Sequence, residues 1–173
     1  MKRLVQGTVL VAIICCIFSC KKEENPVYDL SILINGTNTL LHNAACRLAP
    51  DSLDPSKTDF RLTASTFNGS QALTVDIHKN DLNFPATDYT SGSAGYTVLV
   101  NYYEDINSPS ITQYSLANAP GNGTSEYVIS FTEITSNYVR GTITGNYLTN
   151  TFSGNNETVE VTGGSFYALR VYK

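Results

Sequence analysis

The amino-acid sequence predicts an all-β protein folded as an antiparallel β-sandwich of about ten short strands. Two observations lead to this prediction. Apolar and polar residues alternate with a period of two along most of the chain beyond residue 28, and turn-forming residues recur about every eight to twelve positions. No window shows the 3.6-residue period of an amphipathic helix. A lipocalin-like β-barrel is the alternative, because it has the same local pattern.

The first hairpin has the clearest pattern. Its apolar positions share one face of an extended segment and comprise Tyr28, Leu30, Ile32 and Ile34. Asn35-Gly36 follows, and both residues tolerate the positive φ of a two-residue hairpin turn. A returning strand is therefore predicted to run through residues 40–48.

The middle of the chain repeats the hairpin pattern. Residues 49–58 are rich in Pro, Asp and Ser, which predicts a surface loop. Residues 60–64 and 73–77 alternate on either side of Asn68-Gly69-Ser70 and form the second predicted hairpin. Residues 80–95 contain Pro85 and several glycines and serines, and are expected to be a long connection.

The second half supplies the remaining strands. Residues 95–103 are apolar on nearly both faces, as in a central strand, and residues 111–117 and 127–132 follow as further strands. A strand over residues 138–147 includes Gly141 and Gly145, where we expect a bulge or bend. The last predicted hairpin turns at Gly163-Gly164.

The N-terminus has the layout of a secretory signal peptide. Lys2 and Arg3 precede an apolar run over residues 4–18, and the small residue Ser19 comes next. The run is shorter than the roughly twenty residues that a transmembrane helix requires. Residues 1–19 are therefore predicted to be a removable signal.

Ile17-Phe18-Ser19-Cys20 resembles the lipobox of bacterial lipoproteins. The resemblance implies that the Cys20 thiol receives a lipid, that cleavage occurs just before it, and that the protein stays on the membrane. Residues 20–27 would then be a lipidated tether, and residues 28–173 a single β-rich domain. An ordinary signal peptide with an incidental cysteine is the alternative.

Lys21-Lys22-Glu23-Glu24 is similar to the signal that sends many Bacteroidota lipoproteins to the outer face of the outer membrane. This likeness implies an outer-membrane protein that faces outward. A solvated tether has the same composition, and the two interpretations are compatible.

Charge and cysteine content exclude some protein classes. Removal of residues 1–19 leaves nine basic and fifteen acidic residues, a net charge near −6, which argues against nucleic acid as a partner. Two cysteines leave with the signal and Cys20 receives lipid, so Cys46 stands alone and no disulfide framework is possible. Its neighbours predict a buried thiol, with an exposed, oxidisable thiol as the alternative.

Three strand motifs follow one another in the C-terminal half. They are residues 126–134, residues 139–145 with Gly141-Thr142, and residues 159–166 with Thr162-Gly163-Gly164-Ser165-Phe166. This succession of motifs resembles that of a family of small β-rich lipoproteins from Bacteroidota. The resemblance covers most of residues 28–172 and implies fold and location. It transfers no catalytic or binding residue.

Few residues suggest catalysis or metal binding. Asp76 and His78 share a strand face and could be a base with its orienting acid, but such pairs more often belong to a polar outer face. Asp51, Asp54 and Asp59 offer oxygen ligands for Ca²⁺ without the spacing of an EF-hand, and zinc is disfavoured by two distant histidines. We therefore predict no catalytic residue, metal or cofactor.

Asp51-Ser52-Leu53 resembles the three-residue site at which Bacteroides-type bacteria O-glycosylate exported proteins, so Ser52 is a candidate for modification.

Exposed tyrosines could contribute to a binding surface. Tyr102 and Tyr103 are adjacent on a predicted strand and must face opposite ways, so we expect one of them to be exposed.

These observations favour a surface-anchored binding module whose partner is a glycan or an outer-membrane protein. A small-molecule carrier is the second hypothesis and applies if the strands close into a barrel. An enzyme that uses Asp76 and His78 is the third.

Overall fold

The structure is a computed structural model that describes residues 26–107, 111–116, 126–150 and 157–171. Within these ranges the chain forms eleven β-strands and no helix, which confirms the all-β prediction. None of the described segments is a helix able to cross a membrane. The predicted signal peptide and Cys20 lie outside the described residues. The strands are β1 (Leu30–Ile34), β2 (Thr37–Pro50), β3 (Thr58–Ser65), β4 (Gln71–Lys79), β5 (Asp88–Thr90), β6 (Tyr96–Glu104), β7 (Thr112–Ser115), β8 (Val128–Ile134), β9 (Tyr138–Thr144), β10 (Tyr147–Thr149) and β11 (Thr158–Arg170).

Eight strands close into a ring, so the predicted sandwich is wrong and the barrel alternative is correct. The order around the ring is β1-β2-β3-β4-β6-β7-β10-β11, and β11 pairs with β1 to close it. Every neighbouring pair in this ring is antiparallel. Closure gives β1 a partner on both sides, whereas two packed sheets would leave strands with unpaired edges.

The first two predicted hairpins are confirmed. Asn35 and Gly36 adopt φ of 48° and 74° between β1 and β2, as a tight turn requires. The second hairpin joins β3 to β4 through a turn that contains Gly69, with φ of 68°. Inward residues of these strands are buried apolar side chains, and polar residues alternate with them on the outer face.

A three-stranded extension, β9-β8-β5, continues from β11 and packs back against the ring. Phe131 on β8 contacts Phe60 on β3 with ring centroids 5.0 Å apart, and contacts Phe166 on β11 at 5.7 Å. Phe84 and Tyr89 stack at 4.7 Å and complete this aromatic cluster. Within the described residues, aromatic side chains therefore pack between the ring of strands and the extension.

Three predicted elements are wrong in detail. The strand predicted over residues 138–147 is divided into β9 and β10. The connection over residues 80–95 contains the short strand β5, which pairs with β8. The expected hairpin at Gly163-Gly164 is instead one continuous strand, β11, which crosses the ring beside β1. A Cβ at Gly164 would lie 2.5 Å from the carbonyl oxygen of Ser31, so glycine here permits close strand approach rather than a turn.

Gly145 has a comparable packing role. It lies at the break between β9 and β10, and a Cβ there would overlap the ring of Tyr127. Tyr127 is fully buried, and its hydroxyl donates a 2.9 Å hydrogen bond to the Val161 carbonyl oxygen. Burial raises the pKa of this phenol, so it remains a donor. At the predicted bend, the absence of a side chain on Gly145 thus leaves the space that the Tyr127 ring occupies.

Cys46 is buried, as the sequence predicts. It is 1% exposed on β2, and the structure leaves it as a free thiol. Burial raises the pKa of the thiol to about 11, although the charge of Arg170 opposes this rise. The neutral thiol therefore belongs to the core, and the exposed, oxidisable alternative is wrong.

Replacement of Gly145 by alanine is expected to destabilise the domain by about 2 kcal/mol or more, because overpacking must displace the anchored ring of Tyr127. The measurement is urea-induced unfolding followed by circular dichroism. Thr144→Ala is the matched control, since the neighbouring Thr144 is exposed at the end of β9, and it should cost less than about 1 kcal/mol. Equal stability of Gly145→Ala and the unaltered protein would contradict this packing.

Candidate binding face

A cavity opens on the outside of the ring where β1 begins. The backbone carbonyls of Tyr28 and Asp29 accept hydrogen bonds from Ala44 of β2 and Tyr167 of β11, so the chain leaves the gap between these strands before Tyr28. The two strands then pair directly, in parallel, at Ala45 and Leu169. Asn43, with φ of 53°, lies in a β2 bulge at the same level. The resulting wedge is a cavity of about 420 Å³ lined by Pro26, Val27, Tyr28, Asp29, His42, Asn43, Ala44, Ala45, Phe67 and Leu169.

A histidine–aspartate pair lies in this cavity. His42 Nδ1 is 3.2 Å from an Asp29 carboxylate oxygen, and both side chains are about one-quarter exposed, at 23% each. The His42 ring also contacts the ring of Phe67, with centroids 4.3 Å apart. Phe67 itself is 84% exposed. The cavity therefore combines a fixed polar pair with an apolar rim that water contacts.

A row of three tyrosines begins at the cavity wall. Tyr28 contacts Tyr167 of β11 at 4.8 Å between centroids, and Tyr167 contacts Tyr138 of β9 at 5.1 Å. Tyr138 and Tyr167 alternate with the buried residues Val139 and Phe166, so they lie on the outer face of the sheet. All three tyrosines are partly exposed.

Arg140 lies over this row. Its guanidinium carbon is 4.3 Å from the centroid of the Tyr167 ring and 5.1 Å from that of Tyr138. A hydrogen bond to Tyr167 raises the pKa of the guanidinium, which stays charged. Glu133 accepts a 2.7 Å hydrogen bond from the Tyr138 hydroxyl and thereby raises the pKa of that phenol. We call Tyr28, Tyr138, Tyr167, Arg140 and the adjoining cavity the binding face.

The binding face offers stacking surfaces and directional polar groups in one continuous area. Tyrosine rings present an apolar face and a hydroxyl, and a guanidinium adds several donors in a fixed plane. These groups suit a polar ligand that has flat apolar patches. These residues were not predicted from the sequence, although tyrosines that alternate with apolar residues along a strand are a signal of an aromatic outer face.

Asp76 and His78 do not pair with each other in the structure, because each side chain has another partner. Asp76 is buried beside Arg61 of β3 and forms an ion pair with it. His78 Nδ1 is instead 2.7 Å from an Asp59 carboxylate oxygen. Both partners follow from the β3–β4 register, in which Asp59 faces His78 and Arg61 faces Asp76.

The predicted surface loop is present between β2 and β3, but the three carboxylates considered for a metal make different contacts. One Asp51 oxygen accepts backbone N–H groups from Leu53 at 2.6 Å and Asp54 at 3.1 Å, which lowers the pKa of the Asp51 carboxyl. Asp54 binds Ser56 and Lys57. Asp59 lies on β3 and is close to Asp51. Asp54 is thus not part of that pair.

The other predicted residues are placed as follows. Ser52 is exposed in the loop between β2 and β3, as a modification site requires. Tyr102 and Tyr103 do face opposite ways, because Tyr102 is fully buried against Tyr114 whereas Tyr103 is only partly buried. Neither belongs to the binding face.

Comparison with protein-family models, with curated proteins and with solved structures finds no match for this chain.

Proposed function

We propose that this protein is a lipid-anchored lipoprotein of the bacterial outer membrane, displayed outward, that binds a glycan across the binding face. The observation that supports binding most directly is the continuity of the tyrosine row with the cavity. Tyr28 contributes to both, so one ligand could stack on the rings and place a group in the cavity.

Membrane attachment is supported by the sequence around Cys20, where a lipid would join a short charged tether. Pro26 lies in the cavity wall six residues after Cys20, and six residues span at most about 20 Å. Two or three acyl chains hold a protein durably on a membrane, so the binding face would remain near the cell surface.

A glycan fits the chemistry of the face better than a protein does. The face has tyrosines, an arginine, a carboxylate and a histidine–aspartate pair within a small area, and its cavity of about 420 Å³ is of small-molecule size. Protein interfaces also use tyrosine and arginine, but they are larger, and aspartate and glutamate are depleted at their centre. An outer-membrane protein is the alternative partner.

A carrier that encloses a small molecule is the second candidate, and closure of the ring is the observation that favours it. The aromatic cluster around Phe131 and Phe60 occupies part of the interior that such a ligand would need. An enzyme based on Asp76 and His78 has less support, because each side chain has another partner.

Replacement of Cys20 by serine is expected to move the protein from the membrane fraction to the soluble fraction, because the thiol is the lipid acceptor. The measurement is cell fractionation with immunoblotting in a Bacteroidota host. Cys46→Ser is the matched control and should leave the protein on the membrane, since Cys46 lies in the core. A Cys20→Ser protein that stays membrane-bound would refute the anchor.

Alanine in place of Tyr167 is expected to weaken glycan binding at least about tenfold, or about 1.4 kcal/mol, because Tyr167 is the centre of the row. A glycan array identifies the ligand, and calorimetry measures its affinity. Tyr103→Ala is the control, since Tyr103 is a partly buried tyrosine of β6 outside the face.

Two results would contradict this assignment. An array without any binding would exclude a glycan, and an outer-membrane protein captured through Tyr167 would then identify the alternative partner. Equal glycan affinity of the Tyr167→Ala and unaltered proteins would show that the glycan does not bind at the binding face.

Ser52 is expected to carry an O-linked glycan in a Bacteroidota host, since it is exposed in a loop and lies in the matching three-residue context. Mass spectrometry of the native protein should show added hexose mass on the peptide that contains Ser52. The mass should be absent in Ser52→Ala and present in Ser56→Ala, which alters another exposed serine of the loop. An unmodified Ser52 would remove this proposal.

A further inference from the structure

We propose that Asp51, Asp59 and His78 form a binding site for a divalent transition-metal ion of the zinc class. The site shares no residue with the binding face. It would be a metal site in addition to the proposed glycan-binding function, and it does not depend on that function.

Three chain segments bring these side chains together. Asp59 on β3 pairs across the sheet with His78 on β4 and with Ala49 on β2, and Asp51 follows the end of β2. One potential ligand atom from each of the three residues lies within 4.8 Å of the others. All three side chains are partly exposed, so an ion can reach them from solvent.

The triad is already oriented by contacts. Two backbone N–H groups hold one oxygen of Asp51, and this leaves its second oxygen available. His78 Nδ1 lies 2.7 Å from an Asp59 oxygen, and zinc binding would release to solvent the proton that these two atoms share. Four-coordinate zinc with ligands about 2.1 Å away separates them by roughly 3.4 Å, so small side-chain rotations would complete the site.

The donor set selects the class of ion. Ca²⁺ and Mg²⁺ prefer oxygen ligands alone, whereas one imidazole with two carboxylates suits zinc and its neighbours among the first-row metals. Three protein ligands leave a fourth position for water. The site differs from the set of Asp51, Asp54 and Asp59 considered for Ca²⁺ in the sequence, because His78 takes the place of Asp54.

Charge around the triad also favours a cation. The nearby cations have other anionic partners, since Lys57 lies 3.1 Å from Asp54 and Arg61 pairs with Asp76. Within the described residues, neither Asp51 nor Asp59 forms an ion pair with a lysine or an arginine. Two carboxylates this close repel each other, and a bound divalent ion would relieve the repulsion.

The test uses the full chain in detergent, freed of metal by a chelator and titrated with zinc chloride. Calorimetry gives the affinity, and NMR follows the ring protons of the two histidines, which are the only ones in the chain. We expect zinc to shift the His78 signals and leave those of His42 in place. His78→Ala should weaken the affinity at least about tenfold.

Asp54→Asn is the matched control, because Asp54 lies in the same loop outside the triad, and it should bind zinc as the unaltered protein does. His78 signals that do not move at saturating zinc would overturn the proposal, even if His78→Ala folds poorly. An equal loss in Asp54→Asn and His78→Ala would also overturn it, since an oxygen-ligated loop would then be the site.

Discussion

The antiparallel pairing of β1 with β11 holds the ring of strands closed. β1 has only five residues, yet it joins β2 on one side to β11 on the other and closes the ring. Without this contact β1 and β11 would be edge strands with unpaired backbone groups. Closure requires the two backbones to approach closely at Gly164, where a side chain would strike the Ser31 carbonyl. Closure of the ring therefore depends on a glycine at position 164.

The same seam positions the binding face. β11 is thirteen residues long and pairs with β10 and β9 along one edge, and with β1 and then β2 along the other. Tyr138 and Tyr167 therefore lie side by side on the outer surface. Because β1 does not extend to the end of β11, the cavity opens next to them. The metal-binding triad depends on a different register, that of β3 against β4.

Local sequence patterns predicted most of the strands, because a two-residue period and a turn signal are properties of neighbouring residues. Asn35-Gly36 specified its turn correctly for this reason. Ring closure could not be predicted in this way, since β1 and β11 are far apart in the chain and a sandwich has the same local pattern. The turn predicted at Gly163-Gly164 is wrong because glycine permits both a turn and the close approach of two strands. The pairing of His78 with Asp59 likewise depends on cross-strand register, whereas Asp76 was chosen by its closeness in sequence.

Amide hydrogen exchange along β1 distinguishes a closed ring from an open sheet. In a closed ring each amide of Leu30–Ile34 faces either β2 or β11, so all of them should exchange slowly and at similar rates. If β1 were instead the edge of an open sheet, amides that face β2 would be protected and the alternate ones would exchange rapidly. An alternating pattern of that kind would contradict the closed ring, and with it the placement of the binding face.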